Sequence, residues 1–374
     1  MTDVTVLGGG VNGVTTALTL RLQGYETRLV TADRADRTDQ PPPELASCWG
    51  AGAIHPHAVA MDDLDQVFQD SLDAFELCRE AGTMGVRRQH HLWLADAEGD
   101  LPPAEDLIEP EQAGVPPIDG QAKRSELYMA EMQAYLPRLY HLFEAGGGIV
   151  EQRRVARDDL AELPGTVVNC TGYWSRELFD DEELYAVKGH LIQVDDADLP
   201  RQDGEITSYV YEQEDEDSLY CFPRHDAVFL GGTHLEGTPA PGGEWDGEEA
   251  DGPMLDLGGT EVPERVLTGN REILERLGVE LDGATMHGGV GYRPMRDRVR
   301  LERETVDGTP VVHNYGHGGA GITVSWGCAL RAAELAVRGV APSGCAPYFD
   351  GGDAVGNHLR NLVGEKMEQR ADTG

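Results

Sequence analysis

Three glycines near the start of the chain have the spacing of a dinucleotide-binding turn. The motif Gly8-x-Gly10-x-x-Gly13 follows the apolar run Val4–Leu7 and precedes a helical pattern, and Asp33 comes 20 residues after Gly13. The first glycine permits a tight turn, the second lets a pyrophosphate approach the backbone, and the third lets helix and strand pack closely. The helix N-terminus then favours the phosphates, and Asp33 is placed to accept hydrogen bonds from a ribose. The motif does not distinguish NAD from FAD.

A candidate anion-binding arginine and a second glycine-rich segment occur late in the chain. Arg293 stands in Gly291-Tyr292-Arg293-Pro294, a pattern that predicts a turn. A guanidinium fork suits a carboxylate bidentately, whereas lysine does not. The residues alone equally allow a solvated surface arginine. The glycine loop within Val311–Thr323 opens the last strong helical pattern, near Gly321.

The histidines and cysteines do not have the spacing of a metal site, and we expect none. His313 and His317 fall in the glycine loop, where structural hydrogen bonds are expected. The adjacent His90 and His91 lie in a strand-like stretch, so their rings should point to opposite faces. No Cys-x-x-Cys pair occurs among the six cysteines, which favours small buried residues in a reducing compartment.

Two kinds of element must position these groups. Parallel α/β patterns occur towards both ends of the chain, and short strands separated by turns occupy the middle. We predict strands at 25–31, 166–169, 184–194, 208–212, 219–222 and 227–230, and helices over 61–80, 127–144 (with a kink at Pro137), 266–277 and 321–338. Residues 98–120 are acidic and Pro-rich, which indicates a loop.

The resulting fold class is α/β, with a discontinuous Rossmann-like nucleotide-binding domain into which a mostly antiparallel substrate domain is inserted. We assign 1–75, 145–183 and 286–374 to the nucleotide-binding domain. The substrate domain takes 76–144 and 184–285.

Charge limits the partners of the protein. Its 374 residues include 67 Asp and Glu against 30 Lys and Arg, a formal net charge of −37. Such a surface repels nucleic acid and anionic lipid. Many acids and few lysines resemble the composition of proteins from salt-loving organisms, so low salt should destabilise the protein. No stretch approaches the length of a membrane span and no signal segment is visible, which makes a cytoplasmic location the expectation.

Taken in order, the motifs resemble those of the D-amino-acid oxidase family, including its D-aspartate oxidase branch. The glycine turn is followed by Val168-Asn169-Cys170-Thr171-Gly172, then by the Arg293 motif and by His317-Gly318-Gly319-Ala320-Gly321. The resemblance is closest over 286–335 and faint across 90–125 and 235–260. It implies a two-domain flavoprotein with non-covalent FAD as its cofactor.

The resemblance also implies a role for each matching position. Arg293 matches the arginine that clamps the substrate α-carboxylate, and Tyr220 matches the tyrosine that supports it, although Tyr220 also reads as a core aromatic on a strand. Gly319 matches the glycine whose carbonyl receives the substrate amino group. A helix starting near Gly321 would point its positive end at the flavin N1–C2=O region. The implied FAD-binding positions are Gly8, Gly10, Val11, Asn12, Gly13, Asp33, Arg34, Ala51, Gly52, Ala53, Val155, Cys170, Thr171, Gly172, Arg293, Gly318, Gly319, Ala320, Gly321, Ile322 and Thr323.

Departures from the family pattern bear on the substrate side chain. The stretch that matches the active-site lid, Glu212–Asp217, has no tyrosine. His57 occupies a position that is His in the D-aspartate branch, whereas the two arginines of that branch fall at His234 and near Gln213. Without those cations a buried β-carboxylate lacks a partner. Neutral D-amino acids are therefore the first expectation, and acidic ones, with His57 and His234 protonated, are the alternative.

The expected reaction is oxidative deamination of a D-amino acid by hydride transfer to flavin N5, with O2 as the second substrate. Its products are a 2-oxo acid, ammonia and hydrogen peroxide. Catalysis would rest on orientation and electrostatics rather than on a side-chain base. The alternatives are a glycine or sarcosine oxidase-like enzyme, a dehydrogenase that uses another acceptor, and a non-catalytic flavoprotein. Whether the protein forms a homo-oligomer stays open.

Overall fold

The computed structural model of the protein describes residues 4–38, 40–95, 106–108, 121–213, 217–224, 227–240 and 244–338. Cys345 and the lid residues Glu214–Glu216 lie outside these ranges. The helices are α1 (Val11–Leu22), α2 (Ala46–Trp49), α3 (Leu64–Glu80), α4 (Met132–Ala145), α5 (Ser175–Leu178), α6 (Glu264–Arg276) and α7 (Ser325–Arg338). No helix among the described residues is long and apolar enough to cross a membrane.

Eighteen strands lie among the described residues. They are β1 (Val4–Leu7), β2 (Thr27–Thr31), β3 (Ala53–Ile54), β4 (Val86–Ala95), β5 (Asp106–Ile108), β6 (Gln121–Ala130), β7 (Ile149–Gln152), β8 (Thr166–Asn169), β9 (Tyr185–Asp195), β10 (Arg201–Gln202), β11 (Glu205–Glu212), β12 (Leu219–Pro223), β13 (Ala227–Gly231), β14 (Leu235–Gly237), β15 (Met254–Asp256), β16 (Glu261–Pro263), β17 (Thr285–Val306) and β18 (Thr309–His317).

The chain divides into two compact units. Unit 1 comprises Met1–Val86, Ala130–Tyr185 and Arg293–Gly374, and unit 2 comprises Arg87–Met129 and Ala186–Tyr292. The predicted α/β class with a discontinuous Rossmann-like part and an inserted, mostly antiparallel part is confirmed by the strand pairings described below. The division differs from the predicted boundaries at 76–86 and 130–144, which belong to unit 1 because α3 packs on α7 and α4 packs on α1. It also differs at 184–185, which belong to unit 1, and at 286–292, which belong to unit 2.

Unit 1 is built on a parallel sheet in the order β7-β2-β1-β8-β18. Val6 pairs with Leu29 on one side and with Val168 on the other, so β1 is the central strand. All four residues of β1 are buried, as expected for a parallel strand covered on both faces. Helix α1 packs against α7 and α4, which explains why ten of its twelve residues are buried. Helix α4 continues through Pro137 as one element.

Unit 2 is a mostly antiparallel sheet. Strands β11, β12, β13 and β9 pair antiparallel in that order, and β4 adds to β11 as a parallel neighbour. The core of this unit lies between the sheet and α6, where Leu92, Ile192, Tyr209, Leu230 and Leu274 are buried. The Tyr209 hydroxyl donates to Asn270 Oδ1 at 2.7 Å, so its polar end is satisfied within that core.

Several predictions of local structure are wrong. The helical pattern over 127–144 is strand β6 up to Ala130 and helix only from Met132. The final helix begins at Ser325, after a 3₁₀ turn over Gly318–Ala320, rather than near Gly321. Arg293 lies within the 22-residue strand β17 rather than at a turn. Strand pairing, which a local pattern does not reveal, places the start of 127–144 in β6 and Arg293 in β17. The late start of the final helix follows from the 3₁₀ turn that precedes it.

Candidate active site

The predicted glycine turn has a backbone that excludes side chains at two of its three glycines. Gly8 has φ +102°, and a Cβ there would lie 2.3 Å from the carbonyl oxygen of Cys170. A Cβ on Gly13 would lie 1.8 Å from the carbonyl oxygen of Gly8. These contacts join β1, α1 and the end of β8. The turn therefore has the tight bend and the close helix–strand packing that the motif requires.

The N-terminus of α1 is open to an anion. Its N-cap Gly10 makes no side-chain capping bond, and its first turn carries no acidic residue. The Val11 N–H donates to Ser47 Oγ at 2.9 Å, a hydroxyl that the sequence analysis did not identify. The nearest atom to a Cβ on Gly10 would be the same hydroxyl, 3.0 Å away. The positive end of the helix macrodipole therefore meets no fixed negative charge from this turn.

Three segments of unit 1 meet next to this turn. Asn12 Nδ2 donates to the Gly321 carbonyl at 3.0 Å, which ties the glycine turn to the loop before α7. Thr323 Oγ1 donates to the His55 carbonyl at 2.9 Å and accepts the His55 N–H at 3.2 Å. The Ala51–Ala53 stretch is fixed at Gly52, whose carbonyl accepts the Ala130 N–H at 2.8 Å. Asn12 Oδ1 is buried without a protein hydrogen-bond partner in the described structure, an acceptor suited to a ligand donor.

The end of β2 carries the predicted ribose acid. Asp33 is exposed, and its backbone carbonyl accepts the Thr31 hydroxyl at 2.7 Å. The neighbouring Arg34 pairs with Asp36 at 2.8 Å and with Glu144 at 3.0 Å. The hydrogen bonds from Arg34 to Asp36 hold the guanidinium pKa above its usual value. Arg34 is thus engaged in ion pairs, whereas the Asp33 carboxylate faces solvent.

The turn after β8 is a network of short polar side chains. Asn169 Oδ1 accepts the Thr171 hydroxyl at 2.7 Å, and that hydroxyl lies 2.9 Å from Ser175 Oγ. The adjacent Cys170 is buried, and burial raises its thiol pKa to about 12. Gly172, with φ +59°, completes the turn. Val155, the predicted adenine contact, lies half-buried against the apolar cluster that contains Leu7 and Val30.

The two histidines of the predicted glycine loop are on strand β18, and both have structural partners. His313 Nε2 lies 2.7 Å from Glu304 Oε1, and its Nδ1 lies 3.1 Å from Asn169 Nδ2. His317 Nε2 lies 3.0 Å from Asn314 Oδ1, and burial lowers its pKa to about 4. The expectation of structural hydrogen bonds is confirmed for both residues, although their placement in a loop is wrong.

The turn that carries Gly319 packs against the segment that carries His57. Gly318 has φ +54°, and a Cβ there would lie 2.5 Å from the Ala58 carbonyl. A Cβ on Gly319 would lie 3.4 Å from the His57 ring. The rings of His55 and His57 are 5.6 Å apart, and burial, together with the nearby His57, lowers the pKa of His55 to about 3. His57 itself is exposed. Unit 1 thus brings His57, Gly319 and the cofactor-site loops together.

In unit 2, the predicted carboxylate tyrosine packs on a glycine pair. A Cβ on Gly231 or Gly232 would lie within 2.4 Å of the Tyr220 ring, so that ring occupies the space which a side chain would need. The Asn270 amide donates to the Gly231 carbonyl at 2.8 Å and fixes this pair from helix α6. Tyr220 also contacts Phe222, with ring centroids 5.4 Å apart. Tyr220 is half-buried, and the backbone of the glycine pair sets the orientation of its ring.

The lid segment ends in an ion pair that the sequence analysis missed. Asp217 pairs with Arg265 of α6 through a short contact, and its other oxygen accepts the His234 N–H at 3.1 Å. The His234 ring is exposed and lies 3.8 Å from Glu236 Oε1. Because Arg265 is 48 residues away from Asp217 in the chain, spacing alone carried no signal for this pair.

Comparison with known proteins agrees with this geometry. The sequence model of the family described as FAD dependent oxidoreductase matches residues 3–335. This chain belongs to that family. FAD is therefore its cofactor, and the chain is an oxidoreductase. The glycine turn and the N-terminus of α1, which has no side-chain cap, supply backbone donors that fit a dinucleotide pyrophosphate, and the buried Asn12 Oδ1 is an acceptor for a donor group of the same cofactor.

Individual relatives and structures extend the comparison. A D-amino-acid oxidase of Streptomyces coelicolor is 34% identical over 343 residues, which cover 89% of this chain and 96% of the relative. A D-aspartate oxidase of Homo sapiens is 31% identical and covers 89% and 94%. Among solved structures, glycine oxidase from Geobacillus kaustophilus has a TM-score of 0.65 at 16% identity, covering 93% of this chain and 98% of that one. The last similarity establishes the fold alone.

Proposed function

We propose that the protein is a D-amino-acid oxidase that converts a neutral D-amino acid and O2 into a 2-oxo acid, ammonia and hydrogen peroxide. The observation that carries this proposal is the 34% identity to a D-amino-acid oxidase over 96% of that relative, together with Arg293 and Gly319 at the two positions that recognise substrate. Both residues belong to unit 1.

The residues proposed to hold FAD fall into three groups. The Gly8–Gly13 turn and the N-terminus of α1 take the pyrophosphate, and Asp33 takes the adenosine ribose. Val155 and the turn at Cys170–Gly172 lie by the adenine half. Ala51–Ala53 and Gly318–Thr323 line the flavin, with the N-terminal end of α7 favouring negative charge on the ring. Bound FAD supplies a hydride acceptor for the substrate Cα–H.

The proposed substrate contacts need no side-chain base. Arg293 clamps the α-carboxylate in a fork, Tyr220 supports it through its hydroxyl, and the Gly319 carbonyl accepts a hydrogen bond from the neutral amine. Half-buried His55, with a pKa of about 3, stays neutral at ordinary pH and adds no competing positive charge beside the turn. Two fixed points of attachment hold the Cα of one enantiomer in the reactive orientation, which is the proposed source of D-selectivity.

The proposed preference for substrates with neutral side chains follows from the pairing of the nearby charged residues. At His234, where the D-aspartate branch carries an arginine, the ring lies beside Glu236, and Arg265, which shares the Asp217 carboxylate with the His234 N–H, is already paired with that carboxylate. Neither group therefore offers an uncompensated positive charge to a β-carboxylate. An uncompensated carboxylate is costly to bury. Neutral substrates are the first proposal. D-aspartate and D-glutamate stand second, with protonated His57 and His234 as their partners, as the similarity to the human D-aspartate oxidase allows.

We also propose a salt-adapted protein of the cytoplasm. A net charge of −37 on 374 residues supports the first part. Four cysteines, Cys78, Cys170, Cys221 and Cys328, are buried as small apolar residues, which supports a reducing compartment. O2 as the electron acceptor and a homo-oligomeric state belong to the same proposal and need their own measurements.

The test is anaerobic reduction of the FAD-bound protein in high salt. A panel of D- and L-amino acids, glycine and sarcosine is added one at a time, and the oxidised-flavin absorbance near ~450 nm is followed. We expect D-alanine and other neutral D-amino acids to bleach the band and the L-enantiomers to leave it unchanged. Bleaching by D-aspartate alone selects the acidic alternative. Bleaching by glycine or sarcosine alone, or by nothing, contradicts the proposal.

Oxygen use needs a separate readout. After reduction, admission of air should restore the absorbance within seconds and release one hydrogen peroxide per flavin. Slow reoxidation by air, with fast reoxidation by an artificial acceptor such as a quinone, would make the protein a dehydrogenase instead.

A further inference from the structure

We propose that Asp181 is a positioning residue that sets the separation between the Arg293 segment and the Gly319 segment. Asp181 touches neither proposed substrate group, and it was not among the residues that the motifs identified. It lies in unit 1 beyond helix α5. This inference rests on the proposed function for the identity of the substrate. Its own evidence is the arrangement of four side chains, those of Asp181, Arg296, Arg300 and Tyr315.

The Asp181 carboxylate is buried and bonded on both oxygens. Its side chain is only 4% exposed. Oδ2 accepts the Tyr315 hydroxyl at 2.5 Å and Arg296 Nε at 3.1 Å, and Oδ1 accepts the Glu183 N–H at 3.2 Å. A carboxylate with three donors in a buried site is strongly oriented. Its two side-chain partners belong to different strands.

Arg296 connects Asp181 to the segment that carries Arg293. It is three residues beyond Arg293 on β17, where the pairing with β18 is interrupted. Met295 pairs with His317 and Arg300 pairs with Tyr315, so five steps on β17 oppose two steps on β18. Ladder hydrogen bonds cannot fix such a bulge. The Arg296 side chain does so instead, through Asp181 and through Glu183 at 2.8 Å.

Tyr315 connects the same carboxylate to the segment that carries Gly319. It lies on β18, four residues before Gly319, and its ring is buried. Between them, Gly316 has φ +80°, and a Cβ there would lie 2.9 Å from the Arg296 Cβ. The bulge and the end of β18 therefore pack directly against each other. The Asp181 carboxylate accepts a hydrogen bond from a side chain of each, Arg296 and Tyr315.

The charge of Asp181 is part of this arrangement. Burial raises the pKa of the carboxyl, but the Tyr315 hydrogen bond, Arg296 and the Glu183 N–H outweigh burial and leave the pKa below its ordinary value. The carboxylate is thus ionised at any working pH. Arg300 NH1 donates to the Tyr315 hydroxyl at 3.0 Å, so the hydroxyl has a fixed donor of its own and directs its proton at Asp181.

A distinct functional signature follows from two-point recognition. A ligand held only by its carboxylate depends on Arg293 and Tyr220 and not on Gly319. A substrate held by its carboxylate and its amine depends on the separation of Arg293 and Gly319. Loosening the anchor should therefore lower kcat for the amino acid, because reacting atoms are misaligned, and should leave the binding of a simple carboxylate unchanged.

The experiment compares Asp181→Asn, Tyr315→Phe and the control Asp180→Asn in the FAD-bound enzyme. Asp180 is adjacent but 80% exposed, and it pairs with Arg157. With D-alanine we expect Asp181→Asn to lower kcat about tenfold and Tyr315→Phe about threefold, with Asp180→Asn unchanged. By calorimetric titration, the Kd of propionate should stay within about twofold of wild type in all three.

Several outcomes overturn the inference. Equal kcat in wild type and Asp181→Asn, or a tenfold loss of propionate affinity, contradicts a positioning role. If Asp181→Asn does not fold, Tyr315→Phe decides, since it keeps the buried ion pair and removes only the link to β18; unchanged kcat in that variant overturns the inference. Absence of D-alanine turnover in wild type contradicts the proposed function instead, a result that the wild-type protein alone reports.

Discussion

The two units hold their proposed functional residues in different ways. In unit 1 the cofactor turn and the Gly319 turn are fixed by backbone contacts too close for any side chain, as at Gly13 and Gly318. In unit 2 several charged residues are held by ion pairs that reach the surface, such as Arg265 with Asp217 and Lys188 with Glu249. The first kind of constraint is steric and independent of salt, whereas the second is electrostatic and screened by it.

This difference has a physical consequence. Backbone contacts are unaffected by pH and ionic strength, but they tolerate no added atom. Ion pairs at the surface tolerate substitution, but their strength varies with conditions. We therefore expect the backbone-fixed turns of unit 1 to be sensitive to mutation and the surface ion pairs of unit 2 to be sensitive to salt. Single substitutions and changes of salt or pH can each break this contrast.

Gly10→Glu should have the largest effect. It places a carboxylate at the N-terminus of α1, where the pyrophosphate of FAD is proposed to bind, and we expect the Kd for FAD to rise by about a thousandfold or more. Gly10→Ala is the matched control, because it adds a Cβ without a charge and the nearest atom to that Cβ is the Ser47 hydroxyl at 3.0 Å. Flavin fluorescence during titration of the apoprotein measures both. A yellow, FAD-saturated Gly10→Glu protein would contradict the assignment.

Arg293→Ala should lower kcat/KM for D-alanine by about a few hundredfold, mainly through KM, because a buried carboxylate loses its charged partner. Bound FAD should be retained. Arg298→Ala is the control, since Arg298 is 56% exposed and pairs with Asp62 on the surface. Steady-state oxygen consumption gives the ratio. An unchanged kcat/KM in Arg293→Ala removes this arginine from the site.

Low salt should destabilise the whole protein. With a net charge of −37, the melting temperature in dilute buffer should lie about 10 °C below that in molar KCl, because salt screens the self-repulsion. Scanning calorimetry at a series of KCl concentrations measures the shift. Sucrose at equal osmolality is the control for solvent exclusion. A melting temperature that does not depend on KCl would show that the acidic surface carries no such cost.

His317 should make unit 1 sensitive to acid. Its pKa is about 4 in the fold and about 6.5 in an unfolded chain, so the unfolded state binds the proton first as pH falls. Stability is full above pH 6.5 and is lost between pH 6.5 and 4. From pH 7 to 5 the wild type should lose about 2 kcal/mol more than His317→Gln in urea unfolding.

The control for this prediction is His234→Gln, a substitution at an exposed histidine. It should lose as much stability as wild type between the two pH values. Equal losses in wild type and His317→Gln would mean that His317 is not kept neutral by burial.

Arg265→Gln should have the smallest effect. Removing this partly exposed ion pair with Asp217 should lower the free energy of unfolding by about 0.5 to 1 kcal/mol in dilute buffer, and the difference should vanish in molar KCl. Arg271→Gln, on the same helix, is the control, because its partner Asp282 is 86% exposed. A loss of unfolding free energy that persists in molar KCl would show that the Arg265 pair is independent of salt, as the backbone contacts of unit 1 are.

Much of the fold was predictable because its signals are local. The strand before Gly8, the glycine spacing and the helix after it form one continuous segment whose packing excludes other residues. The short strands of unit 2 were predicted from β-forming runs between turns, and β9, β11, β12 and β13 all occur where expected. The boundary errors at Ala130 and Ser325 arose where a residue's neighbours in space, rather than in sequence, decide its conformation.

The candidate site likewise combines features that adjacent residues predict with features that depend on the fold. Sequence alone determined that the chain carries a dinucleotide turn, a G-x-R-P arginine and a glycine loop, because each is a property of adjacent residues. The position of Arg293 in a strand emerges from the fold and not from its motif. The same holds for two sets of side-chain contacts: Arg34 pairs with Glu144, and Asp181 joins Arg296 to Tyr315. These contacts link residues more than 100 positions apart. Side-chain pairing over such separations depends on how the strands are ordered in the sheet, which no spacing along the chain encodes.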